Sequence, residues 1–522
     1  MTKLSFLLTT VLCLTVACDD DPPTVPDVEL KGVPVALERE LLFLDAAHDS
    51  AYLLDVGETR PSSATTRIHL PPNAVVSERR SKHDAGLILC SGRRADATHD
   101  AEPATLVSVA SDGKSLRYEL GTTPFNTLTQ SDDGRYAIIF RQGASDSRVL
   151  DNPNELVVVD LEKQPADKAA VTRKTPDGLG HTLSAVLVSP VLRIAEEDRR
   201  LLVVLSAAEV TLFDLAHLDR RATIVQLDET RLINPLQVVF SASNPTLYVR
   251  AQNSDNIFMF RLERHENDAG GNDFRPTVNP LSGGSGPRDM ALFGTGSSER
   301  LMVVAEVSSQ VLVIDPASSK TNSLKLPFAA RKILLFKGTS PADTREQTRA
   351  LLYSDAQAAV SFVDPENLGD SPEDKLETLG VAAAVTSLVP LAEDNQVLLF
   401  AGQSGILSLL NLTERTLTPI STSNQLQLNG ALFDAERNRL WVGTENEPWV
   451  GTLDLGTGMT DELYLDAPID HIVPMFEQGR IAVIHADSSG YVTLIDLDEP
   501  DRQHAISVRG FFTNRILDRG ES

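Results

Sequence analysis

The chain has 522 residues, of which 42% are hydrophobic, and it carries three cysteines and a formal net charge of −26. This length and apolar content can supply a large core. The cysteine count excludes a disulfide framework, because Cys13 and Cys18 fall in the N-terminal segment and only Cys90 remains beyond it. The negative charge argues against nucleic acid and anionic lipid headgroups as partners, since it would repel both.

The first element is an apolar run over residues 4–17, which follows Lys3 and is too short to span a bilayer. A positive residue followed by such a run is typical of a secretory signal peptide, here predicted over residues 1–17. Its end, Leu14-Thr15-Val16-Ala17-Cys18, resembles a bacterial lipobox, although Thr15 stands where that family prefers leucine. The resemblance implies that Cys18 is lipidated and becomes the first residue of the mature protein. Ordinary signal-peptidase cleavage after Ala17 is the alternative.

Residues 18–32 are predicted to be a tether between the lipidated cysteine and the folded domain. The stretch Asp19–Asp21 is acidic and is followed by Pro22 and Pro23, a composition that cannot pack into a core. Two or more acyl chains on Cys18 would make a stable membrane anchor. We therefore predict a protein that is exported to the bacterial cell envelope and anchored by lipid, with the choice of inner or outer membrane left open.

Residues 33–522 repeat one phrase about ten times, and we predict that they form a single β-propeller domain. Each phrase is a β-rich run that ends in Asp or a substitute, and successive ends lie 42 to 57 residues apart. Such a period indicates units of about four strands that bury their apolar faces against their neighbours. The terminal residues are Asp55, Asp112, Asp160, Asp214, Arg261, Asp315, Asp364, Asn411, Asp454 and Asp496.

The third unit shows the predicted strands in order. Residues 124–129 form an inner strand, 136–140 and 156–160 two apolar strands, and 170–174 a polar outer strand. Asp133-Gly134, between alternating apolar runs, is a strong hairpin signal. The Asp at the end of the third strand is expected to accept backbone hydrogen bonds in the turn that follows.

The phrases Ser131–Tyr136 and Val311–Asp315 resemble YVTN-type propeller repeats, and Gly286–Leu292 resembles that family's approach to an inner strand. The resemblance implies a propeller fold over nearly the whole mature chain. Its members include surface proteins of unknown role and lactonases, so it implies a fold more than an activity. No unit ends in the Trp-Asp pair of WD repeats or carries the Gly-Gly pair of kelch repeats.

The number of phrases predicts seven to ten blades, with a single ring favoured. Two smaller rings in tandem and a string of immunoglobulin-like sandwiches are the alternatives. Residues 511–517 are expected to close the ring by supplying an inner strand to the first blade.

Ligands of propellers meet the residues at the mouths of the inner strands, around the central channel. Asp470 and His471 are the most suggestive pair, since a His beside a carboxylate could bind a metal or move a proton. Adjacent strand residues point to opposite faces, however, so we expect a structural histidine. No sequence motif assigns a catalytic residue, a metal site or a cofactor. The predicted ligand-binding positions are His181, Asn234, Arg288, Asp289, Arg331, Asn429, Asp470 and His471.

These features favour a membrane-anchored, extracytoplasmic lipoprotein whose propeller binds a protein or polysaccharide partner. Two alternatives are a channel-site enzyme of the lactonase or quinoprotein-like type and a ligand-free scaffold subunit of an envelope complex.

Overall fold

The computed structural model of the protein describes residues 32–57, 65–93, 102–143, 154–176, 183–228, 231–265, 271–340, 343–368, 376–391, 395–401, 406–420, 431–443, 446–457 and 459–512. The predicted signal peptide, the lipidation site Cys18 and the tether up to residue 31 lie outside the described residues.

The described chain folds into ten four-stranded antiparallel sheets, the blades of a ten-bladed β-propeller. Within each blade the strands follow one another in sequence order, from the inner strand at the channel to the outer strand at the rim. The all-β propeller prediction is therefore confirmed, and the ten sequence phrases correspond to ten blades.

The strand bounds of the first five blades are as follows. Blade 1 contains Val35–Ala36, Glu40–Asp45, Ser50–Asp55 and Thr65–His69. Blade 2 contains Ala74–Arg79, Ala85–Cys90, Ala104–Ala110 and Ser115–Gly121. Blade 3 contains Thr127–Gln130, Tyr136–Phe140, Leu156–Asp160 and Val171–Lys174. Blade 4 contains Leu183–Val188, Leu201–Ser206, Glu209–Asp214 and Thr223–Gln226. Blade 5 contains Pro235–Phe240, Thr246–Ala251, Asn256–Arg264 and Phe274–Ser282.

The remaining blades continue the same order. Blade 6 contains Pro287–Phe293, Arg300–Ala305, Gln310–Asp315 and Lys320–Lys325. Blade 7 contains Lys332–Ser340, Asp343–Tyr353, Ala359–Val363 and Leu376–Gly380. Blade 8 contains Ser387–Leu391, Gln396–Ala401, Ile406–Asn411 and Thr416–Ile420. Blade 9 contains Ala431–Asp434, Arg439–Gly443, Trp449–Asp454 and Thr460–Tyr464. Blade 10 contains Ile469–Met475, Arg480–His485, Tyr491–Asp496 and Ile506–Arg509.

Two further kinds of element lie between these strands. An extra hairpin, Leu192–Ile194 and Glu197–Arg199, is inserted between the first two strands of blade 4. Short 3-10 helices occupy Gly296–Ser298, Pro365–Asn367 and Phe476–Gln478.

The core lies in the seams between neighbouring blades. Each apolar cluster joins two consecutive blades; one, for example, packs Met302 and Val304 of blade 6 against Ala350 and Leu352 of blade 7. A further cluster joins blade 10 to blade 1 and so closes the ring. Because the second and third strands are sandwiched between two sheets, they are apolar on both faces, as the sequence predicted.

The turns after the third strands show why an Asp recurs there. In eight blades the side-chain oxygen of the terminal residue accepts a backbone N–H two or three residues later, at 2.8–3.3 Å. These Asx turns confirm the structural role predicted for the repeated Asp. The pairs are Asp55 with Gly57, Asp112 with Lys114, Asp160 with Glu162, Asp214 with Ala216, Asp315 with Ala317, Asn411 with Thr413, Asp454 with Thr457 and Asp496 with Asp498.

The ring closes differently from our expectation. The inner strand of blade 1 is Val35–Ala36, so all four strands of that blade come from the N-terminal side. Phe511 and Phe512 instead insert as buried side chains between blades 10 and 1. The prediction that this segment supplies an inner strand is therefore wrong for its described residues, because the first blade already has one; residues 513–517 lie outside the described part.

Candidate functional site

The two faces of the ring can be distinguished by strand direction. Inner strands begin, and second strands end, on one face, which we call the upper face. In blade 6, for example, the N–H of Glu306, just after the second strand, donates to the carbonyl of Gly286, just before the inner strand (2.9 Å). Those predicted channel-mouth residues that the structure describes lie on or near the upper face.

A cleft of about 630 Å³ opens on the upper face of blades 4 to 6. We call it the upper cleft. Its polar wall is formed by the turn Gln252–Asn256 of blade 5 together with Asp228, Arg231 and the segment Ser285–Gly286, and the remaining lining residues are apolar. The Asp255 carboxylate accepts the backbone N–H of Gly286 at 2.9 Å, which fixes the blade 5 turn against blade 6. The cleft is therefore polar and is held in shape by its own backbone.

One exposed aliphatic side chain lines the upper cleft, and two more lie close to its lining residues along the chain. Val307 lines it and is 76% exposed. Leu232, 51% exposed, lies between the lining residues Arg231 and Ile233. Leu236, 43% exposed, follows Pro235, which pairs with Ala251 beside the lining turn. We call Leu232, Leu236 and Val307 the apolar rim; exposed apolar side chains near a cleft are a feature of interaction sites.

The channel wall beside the cleft is cross-linked through Asp289. The amide of Gln237 in blade 5 donates to one oxygen of this carboxylate (2.6 Å), and the N–H of Ile333 in blade 7 donates to the other (3.0 Å). Arg250 in turn donates to the Gln237 side-chain oxygen (2.9 Å), and burial lowers the pKa of Arg250. Asp289 thus joins the inner strands of three blades and has both oxygens engaged.

Arg288 and Arg331, both predicted as ligand-binding residues, contact the same carboxylate, that of Glu306. Arg331 contacts Glu306 at 2.7 Å and Asp355 at 2.8 Å, while Arg288 lies 3.5 Å from Glu306. Hydrogen bonds to Asp355 and Glu306 raise the pKa of Arg331. The structure therefore brings Arg288, Asp289 and Arg331 together, with charges that are mutually compensated.

Asn234 has a backbone role at the upper cleft. Its φ of 49° is left-handed, a conformation that Asn tolerates well. Its N–H donates to Ala207 of blade 4 and its carbonyl accepts from Gln252 of the lining turn, both at 2.9 Å. His181 and Asn429 lie outside the described residues.

The structure corrects our prediction that the side chains of Asp470 and His471 point to opposite faces. The inner strand of blade 10 has a register shift between Ile469 and His471, so Asp470 is an extra, bulged residue. Strict alternation of side chains is lost at such a bulge. The two side chains consequently approach each other, with His471 Nδ1 3.2 Å from Asp470 Oδ1, although without hydrogen-bond geometry. They lie in blade 10 rather than in the arc of blades 5 to 7.

Two features are absent from the described residues. Within them, no group of three or more His, Cys, Asp or Glu side chains has an arrangement that could hold a metal ion. Nor does that part of the chain contain a helix with the length and apolarity needed to cross a membrane.

Sequence reasoning missed the upper cleft and its rim. The apolar residues Leu232 and Val307 stand in otherwise polar connections between strands, which is the one signal that could have drawn attention to them. Glu306 was missed because nothing in its local sequence shows that it meets two arginines from other segments.

Comparisons with known proteins found only distant structural similarities. No family model and no curated protein matches the chain. Among solved structures, it is similar to the β-propeller proteins dihydro-heme d1 dehydrogenase NirN (12% identity over 86% of this chain and 78% of that one, TM-score 0.43) and virginiamycin B lyase from Staphylococcus aureus (12%, 60% and 89%, TM-score 0.34). A eukaryotic initiation factor is similar at 12% identity over 76% of this chain and 87% of that one, with a TM-score of 0.44. These likenesses concern the fold alone.

Proposed function

We propose that this propeller is a binding module that engages a partner macromolecule through the upper cleft and its apolar rim. The observation that carries the proposal is the exposed Val307 in the wall of a preformed polar cleft, with Leu232 and Leu236 exposed close to its lining residues along the chain. Single exposed aliphatic residues are ordinary on protein surfaces, whereas a group beside a cleft is typical of an interface with an apolar centre and a polar surround.

A protein is favoured over a polysaccharide as the partner. The rim is aliphatic and would pack against apolar side chains. Both tryptophans of the chain, Trp441 and Trp449, are buried in the seams of blade 9, so neither offers an exposed ring to a sugar. The turn Gln252–Asn256 adds amide, hydroxyl and carboxylate groups that can hydrogen-bond a peptide backbone.

The partner surface can be tested with charge substitutions in the rim. Val307→Asp and Leu232→Asp in the full chain should abolish retention of a partner from envelope extracts, because a carboxylate would have to be desolvated in the interface. Val191→Asp is the matched control. Val191 is 52% exposed, but it lies beside the extra hairpin, where an inner strand ends, and so away from the upper face. A partner held by the wild type and the control but lost by both rim variants would support the proposal. Equal retention by all variants, or no specific partner, would contradict it.

Export and lipid anchoring at Cys18 are part of the same proposal. They are supported by the lipobox-like sequence ending at Cys18 and by the acidic, proline-rich stretch after it. Cys18→Ser should move the protein from the membrane fraction to the soluble fraction and abolish incorporation of labelled palmitate. Cys13→Ala, which keeps the apolar run, should leave both unchanged. Membrane retention of Cys18→Ser would contradict lipid anchoring without affecting the test of the upper cleft.

A further inference from the structure

The outer strand of blade 4, Thr223–Gln226, forms a free edge of its sheet at the rim of the ring. Within the described part of the chain it pairs only with the third strand of its own blade. The N–H of Leu227 donates to the carbonyl of Ala208, just before that third strand (3.1 Å). Because successive residues of an antiparallel pair turn their backbone groups in opposite directions, the N–H and C=O groups of Ile224 and Gln226 face away from the blade.

These outward backbone groups are open to a partner. Among the described residues, no other segment makes a hydrogen bond to Ile224 or Gln226. The side chain of Ile224 is also 37% exposed, which adds apolar surface to the edge. Such an edge is a template that an extended peptide can join as an added strand. The edge therefore selects the conformation of what binds to it, namely an extended backbone.

The blade 4 edge differs from the other nine outer strands of the described chain. Each of those contains a charged residue or a proline, which are the residues that protect natural edge strands from pairing; Pro419 in blade 8 is an example. The blade 4 strand contains neither. It has four residues, and the outer strands of blades 3 and 10 are equally short, but these two end in Lys174 and Arg509. Blade 4 thus presents the one outer strand in the described chain without such protection.

The two ends of the edge indicate where its occupant continues. Leu227 and Asp228, which directly follow the strand, are lining residues of the upper cleft. At the other end, Arg221 is exposed and forms no ion pair with a described residue, whereas its neighbour Arg220 contacts Asp273 at 3.2 Å. The Arg221 guanidinium is complementary to a carboxylate of the occupant. A peptide on this edge would therefore extend from an acidic residue at Arg221 to the upper cleft.

We propose that the partner of the upper cleft contributes an extended peptide segment that joins blade 4 as a fifth strand, with an acidic residue beside Arg221. This mode of binding rests on the proposed function, because it describes how the same partner is held. The outward groups of Ile224 and Gln226 hydrogen-bond the added backbone, and the Ile224 side chain packs against it. Backbone pairing provides affinity, while Arg221 and the upper cleft provide specificity.

The direct test is hydrogen–deuterium exchange resolved to single amides, on the full chain with and without the partner that the wild type retains in the rim experiment. The amides of Ile224 and Gln226 face solvent in the free protein and should exchange at least about tenfold more slowly in the complex, as expected for one added hydrogen bond each. The amide of Val225 is the internal control. It points to Val210 within the blade and should be equally protected in both states.

Substitutions at the edge provide a second measurement. Gln226→Pro removes an outward N–H but no hydrogen bond of the blade, and should weaken retention of the partner at least about tenfold. Tyr464→Pro is the matched control, because Tyr464 occupies the corresponding outward position in blade 9, and should retain the partner as the wild type does. Arg221→Glu should weaken retention, whereas Arg221→Lys should preserve it.

Retention of a protein is not sufficient support; the slowed amides and the loss in Gln226→Pro must both be observed. Unchanged exchange at Ile224 and Gln226, or a polysaccharide as the retained partner, would overturn strand addition, and so would equal retention by a folded Gln226→Pro and Tyr464→Pro. The proposed function would still stand if the rim variants lose the partner. Retention by the rim variants as well would contradict the proposed function itself. The exchange measurement uses the wild type and decides the matter even if Gln226→Pro fails to fold.

Discussion

The seam between blades 4 and 5 and the seam between blades 10 and 1 both have an apolar core, but the first adds a buried charge cluster and the second adds packed aromatic rings. At the first, the extra hairpin brings Arg199 into a buried cluster of charges. Its guanidinium contacts Asp214 of blade 4 at 2.9 Å, and hydrogen bonds to Asp273 of blade 5 raise the pKa of Arg199. Leu192 and Ile194 of the same hairpin are buried against blade 5.

At the closing seam, between blades 10 and 1, aromatic rings pack against one another instead. Phe512 lies 5.2 Å from Tyr52 and 5.6 Å from Phe43 between ring centroids, and Phe511 lies 5.2 Å from Phe43. Gly490, with φ of 86°, passes close beneath both phenylalanines; a Cβ there would lie 2.7 Å from Phe512. The backbone of the turn thus makes room for the rings.

The difference follows from chain connectivity. Blades 4 and 5 are consecutive in sequence, so the chain itself keeps them close and a directional charge cluster can refine their packing. Blades 10 and 1 are joined by no adjacent chain segment and share no strand. Their seam must offset the entropy of closing the whole ring, and burial of large apolar surface is the strongest available source. The last described residues are therefore expected to decide whether the ring stays closed.

The largest expected effect is loss of both closing rings. Phe511→Ala with Phe512→Ala should lower the free energy of unfolding by about 5 kcal/mol or more, because each truncation of a buried Phe costs about 3–5 kcal/mol. Urea denaturation followed by tyrosine and tryptophan fluorescence measures it. Phe512→Leu is the control and should cost less than about 1.5 kcal/mol. A double variant as stable as the wild type would show that the seam is held by other residues.

The charge cluster of the other seam gives the next effect. Arg199→Ala leaves Asp214, whose side chain is fully buried, without its cation, and should cost about 3–5 kcal/mol of unfolding free energy. Arg193→Ala on the same hairpin removes an arginine that is 73% exposed and should change stability by less than about 0.5 kcal/mol. If both variants lose the same stability, the hairpin rather than the buried charge cluster is responsible.

A smaller effect distinguishes blade 10 from the charge cluster by its pH dependence. Burial lowers the pKa of His485 in the closing blade, where it lies 4.0 Å from the ring of Tyr491. Since the unfolded chain binds the proton more readily, this stability is present above pH 6.5 and falls as the pH drops below it. The pKa of Asp273 is lowered chiefly by hydrogen bonding to Arg199, so the charge cluster contributes fully above pH 3.8 and loses this stability as the pH falls from 3.8 through the lowered pKa.

The free energy of unfolding, measured at pH 7.5 and at pH 5.5, tests this difference in pH dependence. The wild type should lose stability between these values, and His485→Phe should lose less than the wild type. His504→Gln is the control, because His504 is exposed and its pKa is raised by a hydrogen bond to Asp501. A pH dependence that is unchanged in His485→Phe would contradict the assignment to His485.

The architecture was predictable from the sequence because it repeats. Each third strand is a local apolar run, and in eight blades the Asp or Asn at its end fixes a turn within three residues, as at Asp55 and Asp496. These local signals predicted seven to ten blades, and the structure has ten. The inner strand of blade 1 escaped prediction because it has two residues, Val35 and Ala36, and no pattern of its own.

The candidate sites depend on contacts between blades, which local sequence does not encode. Asp289 was singled out, but its partners Gln237 and Ile333 come from the preceding and following blades. The bulge at Asp470 reversed the expected separation from His471.

The most direct test of the proposed binding function is hydrogen–deuterium exchange of the full chain with and without the partner retained in the rim experiment. Our account predicts slowed exchange in peptides covering residues 231–237, 252–256 and 285–307, around the upper cleft, with little change in peptides from blades 1, 2 and 9. Slowed exchange confined to the opposite face, or to the outer strands, would contradict it.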